Sequence, residues 1–420
     1  MIPNARLILL LIASLALVAC GDDAPGEPKG PGKRIYLEEG RWLMIEPPGR
    51  VCSNGSRYRF FVNLNHWSDD LLVVLEPGGA CWDYESCSGS MGIRGAANPN
   101  GIEPDHMVRW EAIVPLLHTN GLDYDDGKSY PPPPTASYNK IFIPYCTGDI
   151  HAGNNVVDYP NPNDPSKPLK FHHKGHENVA SVIEWINEHF NANLDTLFVT
   201  GCSAGGVGSL ANYYFIRNGV GDVRRGVMLD DAGPIFPNSP YSKPLHAKVR
   251  ESWNVDSIFS LLPEEIEERL LEDFGNINAM LAEEFPEDRL ANVYFRMDYN
   301  FTLYSYERFH EDTVLEGLLP KSEDYRREIY RMWWEDTREL LAMSDDYDNL
   351  GYYIPFFRPQ NDSHCATIIG WKGTEIEEEN LDLYDYIDDL LHGEGPVGKY
   401  VESTPDPGEF SHLAPSDPWP

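Results

Sequence analysis

The stretch Gly201-Cys202-Ser203-Ala204-Gly205-Gly206 sets a serine among residues with little or no side chain. A serine hydroxyl is a weak nucleophile on its own. It needs a turn sharp enough to project its oxygen, a base to take its proton, and backbone N–H groups aimed at the oxyanion that forms. The pattern G-x-S-x-G provides that turn when it follows a strand and opens a helix. Both flanks fit: residues 195–200 read as a short buried strand and residues 207–220 as a helix. Ser203 is therefore the candidate nucleophile, and the helix beginning at the turn points its positive end at the developing charge. Ala204 offers one oxyanion N–H. The strand-like run 71–76 ends at Pro77-Gly78-Gly79-Ala80, a glycine-rich loop of the kind that supplies the rest, so Gly79 and Ala80 complete the expected oxyanion hole.

The base has to be a histidine held in the right tautomer by a carboxylate. His364 follows the polar loop Gln360-Asn361-Asp362-Ser363, a fitting place for a base leaving a strand. Asp298, Asp362, Asp230 and Asp231 compete to be its partner. Asp362 is too near in sequence for easy pairing, and Asp230 and Asp231 end the strand after the nucleophile helix, where structural hydrogen bonding is expected. Trp82 and Tyr84, beside the oxyanion loop, and Asp149, after the run 140–146, are the candidate substrate contacts. The cluster His172, His173 and His176 raises the alternative of a metal site. No carboxylate stands at matching spacing, and the position ahead of a helix favours capping or packing, so no metal is expected. The ester chemistry itself needs no cofactor.

Strand-like runs at 58–65, 71–76, 140–146, 195–200 and 224–230 alternate with helical patterns at 175–190 and 207–220. Such alternation predicts an α/β protein with a mostly parallel central sheet and helices on both faces, its site at the carboxyl ends of the strands. Residues 88–138 are rich in Gly, Asn, Asp and Pro and read as surface excursions with little regular structure. Residues 255–345 read as acidic amphipathic helices forming a helical insertion or cap. The expected organisation is a signal segment at 1–19, a tether at 20–33, and one catalytic domain over 34–420.

A net charge of -34 over 420 residues excludes the basic footprint that nucleic acid requires. The opening Met1–Arg6 and the apolar run after it read as an export signal, too short for a confident membrane span. Its end, Leu17-Val18-Ala19-Cys20, resembles a bacterial lipobox, which makes Cys20 the expected lipidated residue and the lipid the expected link to the cell envelope. Setting Cys20 aside leaves six of the seven cysteines: Cys52, Cys81, Cys87, Cys146, Cys202 and Cys365. Export permits disulfides, and Cys81 with Cys87 is the pairing spacing favours. Cys202 and Cys365 each adjoin a catalytic candidate, so disulfides from them to other parts of the chain would brace the site.

The segments LEPGGACWDYESC (75–87), YCTGD (145–149), GCSAGGVGS (201–209), DDAGP (230–234) and HCATIIGW (364–371) together resemble the pectin acetylesterase family, which also contains the animal carboxylesterase Notum. They occur in the family's order and span most of the chain after Cys52. The resemblance implies an α/β-hydrolase-like fold, a Ser, Asp, His order of catalytic residues, Ser203 as nucleophile and His364 as base. It favours Asp298 as the acid, although the family commonly has a Gln three residues later, where this chain has Phe301. It also implies a Cys52–Cys146 disulfide. The expected substrate is an acylated carbohydrate or other ester, cleaved by a monomer that removes acetyl or short acyl groups. A lipid or long-acyl ester hydrolase, and a catalytically silent carbohydrate-binding lipoprotein, are the alternatives.

Overall fold

The apolar runs of the chain become strands of a single sheet because burial on both faces removes nearly all their side chains from water. The structure is a computed structural model that describes residues 40–403 except 91–94, 125–126, 191–192 and 321. The expected signal segment, Cys20 and the expected tether lie outside the described residues. Nine strands form the sheet: β1 (Leu43–Ile45), β2 (Phe60–Asn63), β3 (Leu71–Leu75), β4 (Asn139–Ile143), β5 (Asn193–Cys202), β6 (Asp222–Asp231), β7 (Arg289–Val293), β8 (Leu350–Ile354) and β9 (Lys399–Val401). Their spatial order is β1-β2-β4-β3-β5-β6-β7-β8-β9. β2 runs antiparallel to both its neighbours, and every other adjacent pair is parallel. This mixed α/β, mostly parallel sheet agrees with the expected fold class and is consistent with an α/β-hydrolase-like arrangement.

Register decides where the chemistry sits. Leu75 of β3 lies opposite Gly201 of β5, Cys202 lies opposite Asp231 of β6, and Asp231 lies opposite Val293 of β7. The carboxyl ends of four neighbouring strands therefore share one edge. The helix α1 (Gly175–His189), between β4 and β5, buries Val179, Val182 and Ile186 on one face, and α2 (Ala204–Gly219) follows β5 with no intervening loop except Ser203. Three further helices matter below: α3 (Lys243–Trp253), α4 (Glu323–Ser344) and α5 (Leu383–His392).

Two expectations need correction. The span 255–345 is not wholly a helical insertion, because β7 lies inside it as an interior strand of the sheet. Its residues disguised it: Arg289 and Asn292 interrupt the apolar run, yet both are buried, with the Arg289 guanidinium donating to the carbonyls of Leu390 and Gly395. The stretch 88–138 also holds more order than its composition implies. His106–Ile113 is a helix that buries Met107 and Trp110, and Leu122–Asp123 pairs with Ser129–Tyr130. Among the described residues no helix is long and apolar enough to cross a membrane.

Disulfides Cys52–Cys146 and Cys81–Cys87 form, with Cα atoms 5.1 and 4.9 Å apart. The former closes a separation of 94 residues, a cross-link worth about 4 kcal/mol through the entropy it removes from the unfolded chain. Cys202 and Cys365 bond to each other, not to other parts of the chain, with Cα atoms 5.5 Å apart. That pairing joins the residue before Ser203 to the residue after His364.

Candidate active site

β5 delivers Ser203 to the edge of the sheet, and the turn there is tight. Ser203 has φ 55° and ψ -122°, a conformation L-residues rarely adopt. Two bonds hold it: its N–H donates to the Asp231 carbonyl at 2.7 Å and its carbonyl accepts from Val207 N at 2.9 Å, while Ala232 N donates to the Val293 carbonyl at 2.7 Å alongside. The glycines answer to close approach. A Cβ on Gly205 would collide with the Leu75 carbonyl oxygen, so only glycine lets α2 start this close to β3. Ala204 is the first residue of α2, and N–H groups of a first turn have no acceptor within their own helix.

The glycine-rich loop after β3 reaches the same cavity as this turn. Gly79 has φ 82°, a left-handed conformation that glycine takes without strain. Gly79, Ala80, Ser203 and Ala204 all line one cavity of about 70 Å³, so the four residues expected to share a site do share one. Its other walls are mostly apolar and include Trp82, Val207, Leu245, Trp253 and Phe301. Trp82 thus meets the expectation of a place beside the nucleophile. Tyr84 does not: it lines a separate groove with Asp83, Tyr159 and Lys248, and Trp82 stands between the two.

Asp149 is corrected more sharply. It is fully buried, accepting from Thr147 Oγ1 at 2.6 Å and from the Gly175 N–H at the start of α1 at 2.8 Å. Burial pushes its carboxyl up to about 6 against the pull of those bonds. With both oxygens engaged inside the fold, it braces a loop.

His364 Nδ1 is 2.8 Å from Asp298 Oδ2. Asp298 is fully buried, and its other oxygen accepts from Phe301 N at 2.8 Å as the N-cap of the short helix Tyr299–Thr302. The departure at position 301 is thereby explained, since a backbone amide steadies the carboxylate whatever the side chain. Phe301 turns its ring to the cavity instead. Burial by itself lowers the His364 pKa, but the Asp298 charge and hydrogen bond outweigh it and the net shift is upward, with Asp231 and Asp362 adding to it. The loop that carries His364 is constrained: Asn361, Asp362, Ser363 and Cys365 all have positive φ, and Ser363 exchanges two hydrogen bonds with the backbone of buried Arg358. A ring nitrogen of His364 lies within 4.8 Å of the sulfurs of both Cys202 and Cys365. The disulfide therefore ties the loop that carries His364 to the strand end that carries Ser203.

Of the competing acids, Asp231 accepts from Ala366 N, Thr367 N and Thr367 Oγ1 at 2.8, 2.7 and 2.6 Å, which is structural bonding of the expected kind. Sequence reading missed Glu76. Its buried carboxylate accepts from Tyr145 N at 2.7 Å and Asn98 Nδ2 at 2.9 Å and meets His106 Nε2 at 3.1 Å, pinning the root of the oxyanion loop. The available signal was an acidic residue ending an otherwise wholly apolar strand.

The three clustered histidines part company. His172 Nδ1 bonds to the Ser53 carbonyl, His173 lies between the Thr147 carbonyl and Tyr159 OH, and His176 approaches Asn212. The two groups of candidate metal ligands found among the described residues each contain a disulfide-bonded cysteine pair, whose sulfurs are not thiolates.

A serine in a strained strand-to-helix turn and a glycine-rich loop line one cavity, and a histidine is bonded to a buried aspartate, which are the kinds of group an α/β serine hydrolase uses. Residues 116–283 match the family model described as pectinacetylesterase. The chain is 25% identical over 222 residues to Pectin acetylesterase 4 of Arabidopsis thaliana, covering 52% of this chain and 48% of that protein. It is 24% identical over 188 residues to palmitoleoyl-protein carboxylesterase notum1' of Xenopus laevis, covering 40% of this chain and 30% of that one. The chain thus spans less than half the length of these relatives. The similarity supports a pectinacetylesterase/Notum-like relationship.

Proposed function

We propose that this chain is a serine carboxylic-ester hydrolase that removes acetyl or other short acyl groups from carbohydrate at the cell envelope. The observation that carries the reading is the cavity: about 70 Å³, shared by Ser203 and the three candidate oxyanion residues. It holds a few water-sized groups and is far smaller than a site for a drug-sized ligand. In this reading Ser203 attacks the ester carbonyl while His364 takes its proton, and the oxyanion rests on the N–H groups of Gly79, Ala80 and Ala204. The alcohol leaves with the proton from His364, and water activated by the same base frees the acid.

The apolar lining gives a specific reason to keep a second reading, hydrolysis of longer acyl esters. A p-nitrophenyl ester series separates the two. The expected result is highest kcat/KM on acetate, falling by about 100-fold or more at octanoate, since added methylenes outgrow a cavity of about 70 Å³. A maximum at long chains would replace the first reading with the second, and no turnover of any ester would favour a silent carbohydrate-binding protein.

Export with lipid on Cys20 accounts for the N-terminal pattern and places the enzyme at the envelope. A fatty-acid probe is expected to label the wild-type protein in a bacterial host and to fail on Cys20→Ser. Equal labelling of both would remove the anchor from the account.

A further inference from the structure

We propose that Asp231 is a positioning residue that sets the approach of His364 to Ser203, one oxygen of its backbone holding the nucleophile turn and its carboxylate holding the base loop. The inference rests on the hydrolase reading above. Asp231 ends β6 and is fully buried. Its carbonyl accepts the Ser203 N–H at 2.7 Å. Oδ1 accepts the Ala366 N–H at 2.8 Å, and Oδ2 accepts from both the N–H and the hydroxyl of Thr367 at 2.7 and 2.6 Å. Asp231 thus bonds to both segments, and the Cys202–Cys365 disulfide links the same two segments covalently.

Every carboxylate bond is an acceptance, which suits the ionised form. Burial raises the Asp231 pKa, and the three donors oppose it. The charged and titratable groups facing this pair are Asp298 from the cap of the Tyr299–Thr302 helix, Asp362 from the base loop itself, Asp230 beside Asp231, and Arg358 behind the loop. Asp231 is thus placed to orient His364 and also to favour its protonated state.

Ser203 and His364 come from segments far apart in the chain, and their meeting has to survive the strain of several positive-φ residues around His364. A displacement of about 1 Å between reacting groups costs on the order of 100-fold in rate. A bridge fixed to both sides reduces that freedom at the source.

The test is Asp231→Asn, which keeps the size and the backbone link to Ser203 but turns one acceptor into a donor facing Thr367. The expected result is a 10- to 100-fold fall in kcat per fluorophosphonate-titrated site (about 10–100, from the same geometric sensitivity) with KM changed less than about threefold. The acid limb of the kcat/KM profile is expected to move to lower pH. Unchanged kcat and an unmoved limb in a folded variant would overturn the proposal. Where Asp231→Asn does not fold, Thr367→Val removes only the hydroxyl donor, with a few-fold loss of kcat expected and unchanged kcat overturning it. If wild-type protein neither turns over esters nor takes the fluorophosphonate, the hydrolase reading fails separately. NMR titration of the His364 ring then decides, a lower pKa in Asp231→Asn supporting the bridge and an identical one refuting it.

Discussion

Replacing Ser203 by Ala is expected to abolish fluorophosphonate labelling and to lower turnover of a short-acyl ester by about 10⁴- to 10⁶-fold, leaving the thermal unfolding midpoint close to wild type. The size of the effect follows from covalent catalysis: without the hydroxyl no acyl-enzyme forms, and only oxyanion donors and binding remain to assist water. Stability is expected to survive because the bonds that hold the turn belong to the backbone, from Ser203 N to Asp231 and from Val207 N to Ser203. Intact protein mass spectrometry after probe treatment, with a parallel melting curve, reads both halves. Labelling that persists on Ser203→Ala would place the nucleophile elsewhere.

Asp298→Asn is expected to be nearly as severe, lowering kcat by about 10⁴-fold. The asparagine oxygen can still accept from Phe301 N and keep the helix cap. Its amide then presents a donor to His364 Nδ1, so the ring has to accept there and carry its proton on the nitrogen needed to deprotonate Ser203. The pH dependence gives a second reading of the same contact. General-base action needs the neutral imidazole, and the His364 pKa is raised above 6.5, since Asp298 outweighs the effect of burial. Wild-type kcat/KM should therefore fall as pH drops through a midpoint above 6.5. Removing the Asp298 charge should move the residual activity's midpoint down. A midpoint that stays in place, or a loss of less than tenfold in kcat (about 10, against the expected 10⁴), would show that another carboxylate serves the base.

These two variants probe contacts of opposite legibility. The turn at Ser203 was readable because its constraint is local: small neighbours, a buried strand before and a helix after are all written within about 25 consecutive residues. The Cys81–Cys87 bond was readable for the same reason, since a separation of six residues leaves few partners in reach. Asp298 was separable from Asp230, Asp231 and Asp362 only through family resemblance, because nothing local marks which carboxylate will reach a ring 66 positions away.

What the sequence determined by itself was therefore the class of sheet and the two tight turns, at Ser203 and at Gly79, each imposed by sterics or periodicity over short stretches. Tertiary structure decided the rest. It buried Asp149 and sent Tyr84 to a separate groove, and it paired Cys202 with Cys365. It also drew the polar-interrupted run Arg289–Val293 into the middle of the sheet, where Arg289 found carbonyl partners contributed by the end of α5 and the turn after it. Such outcomes depend on which distant backbone groups arrive alongside, and burial of a polar side chain is tolerable only when those partners are already in place.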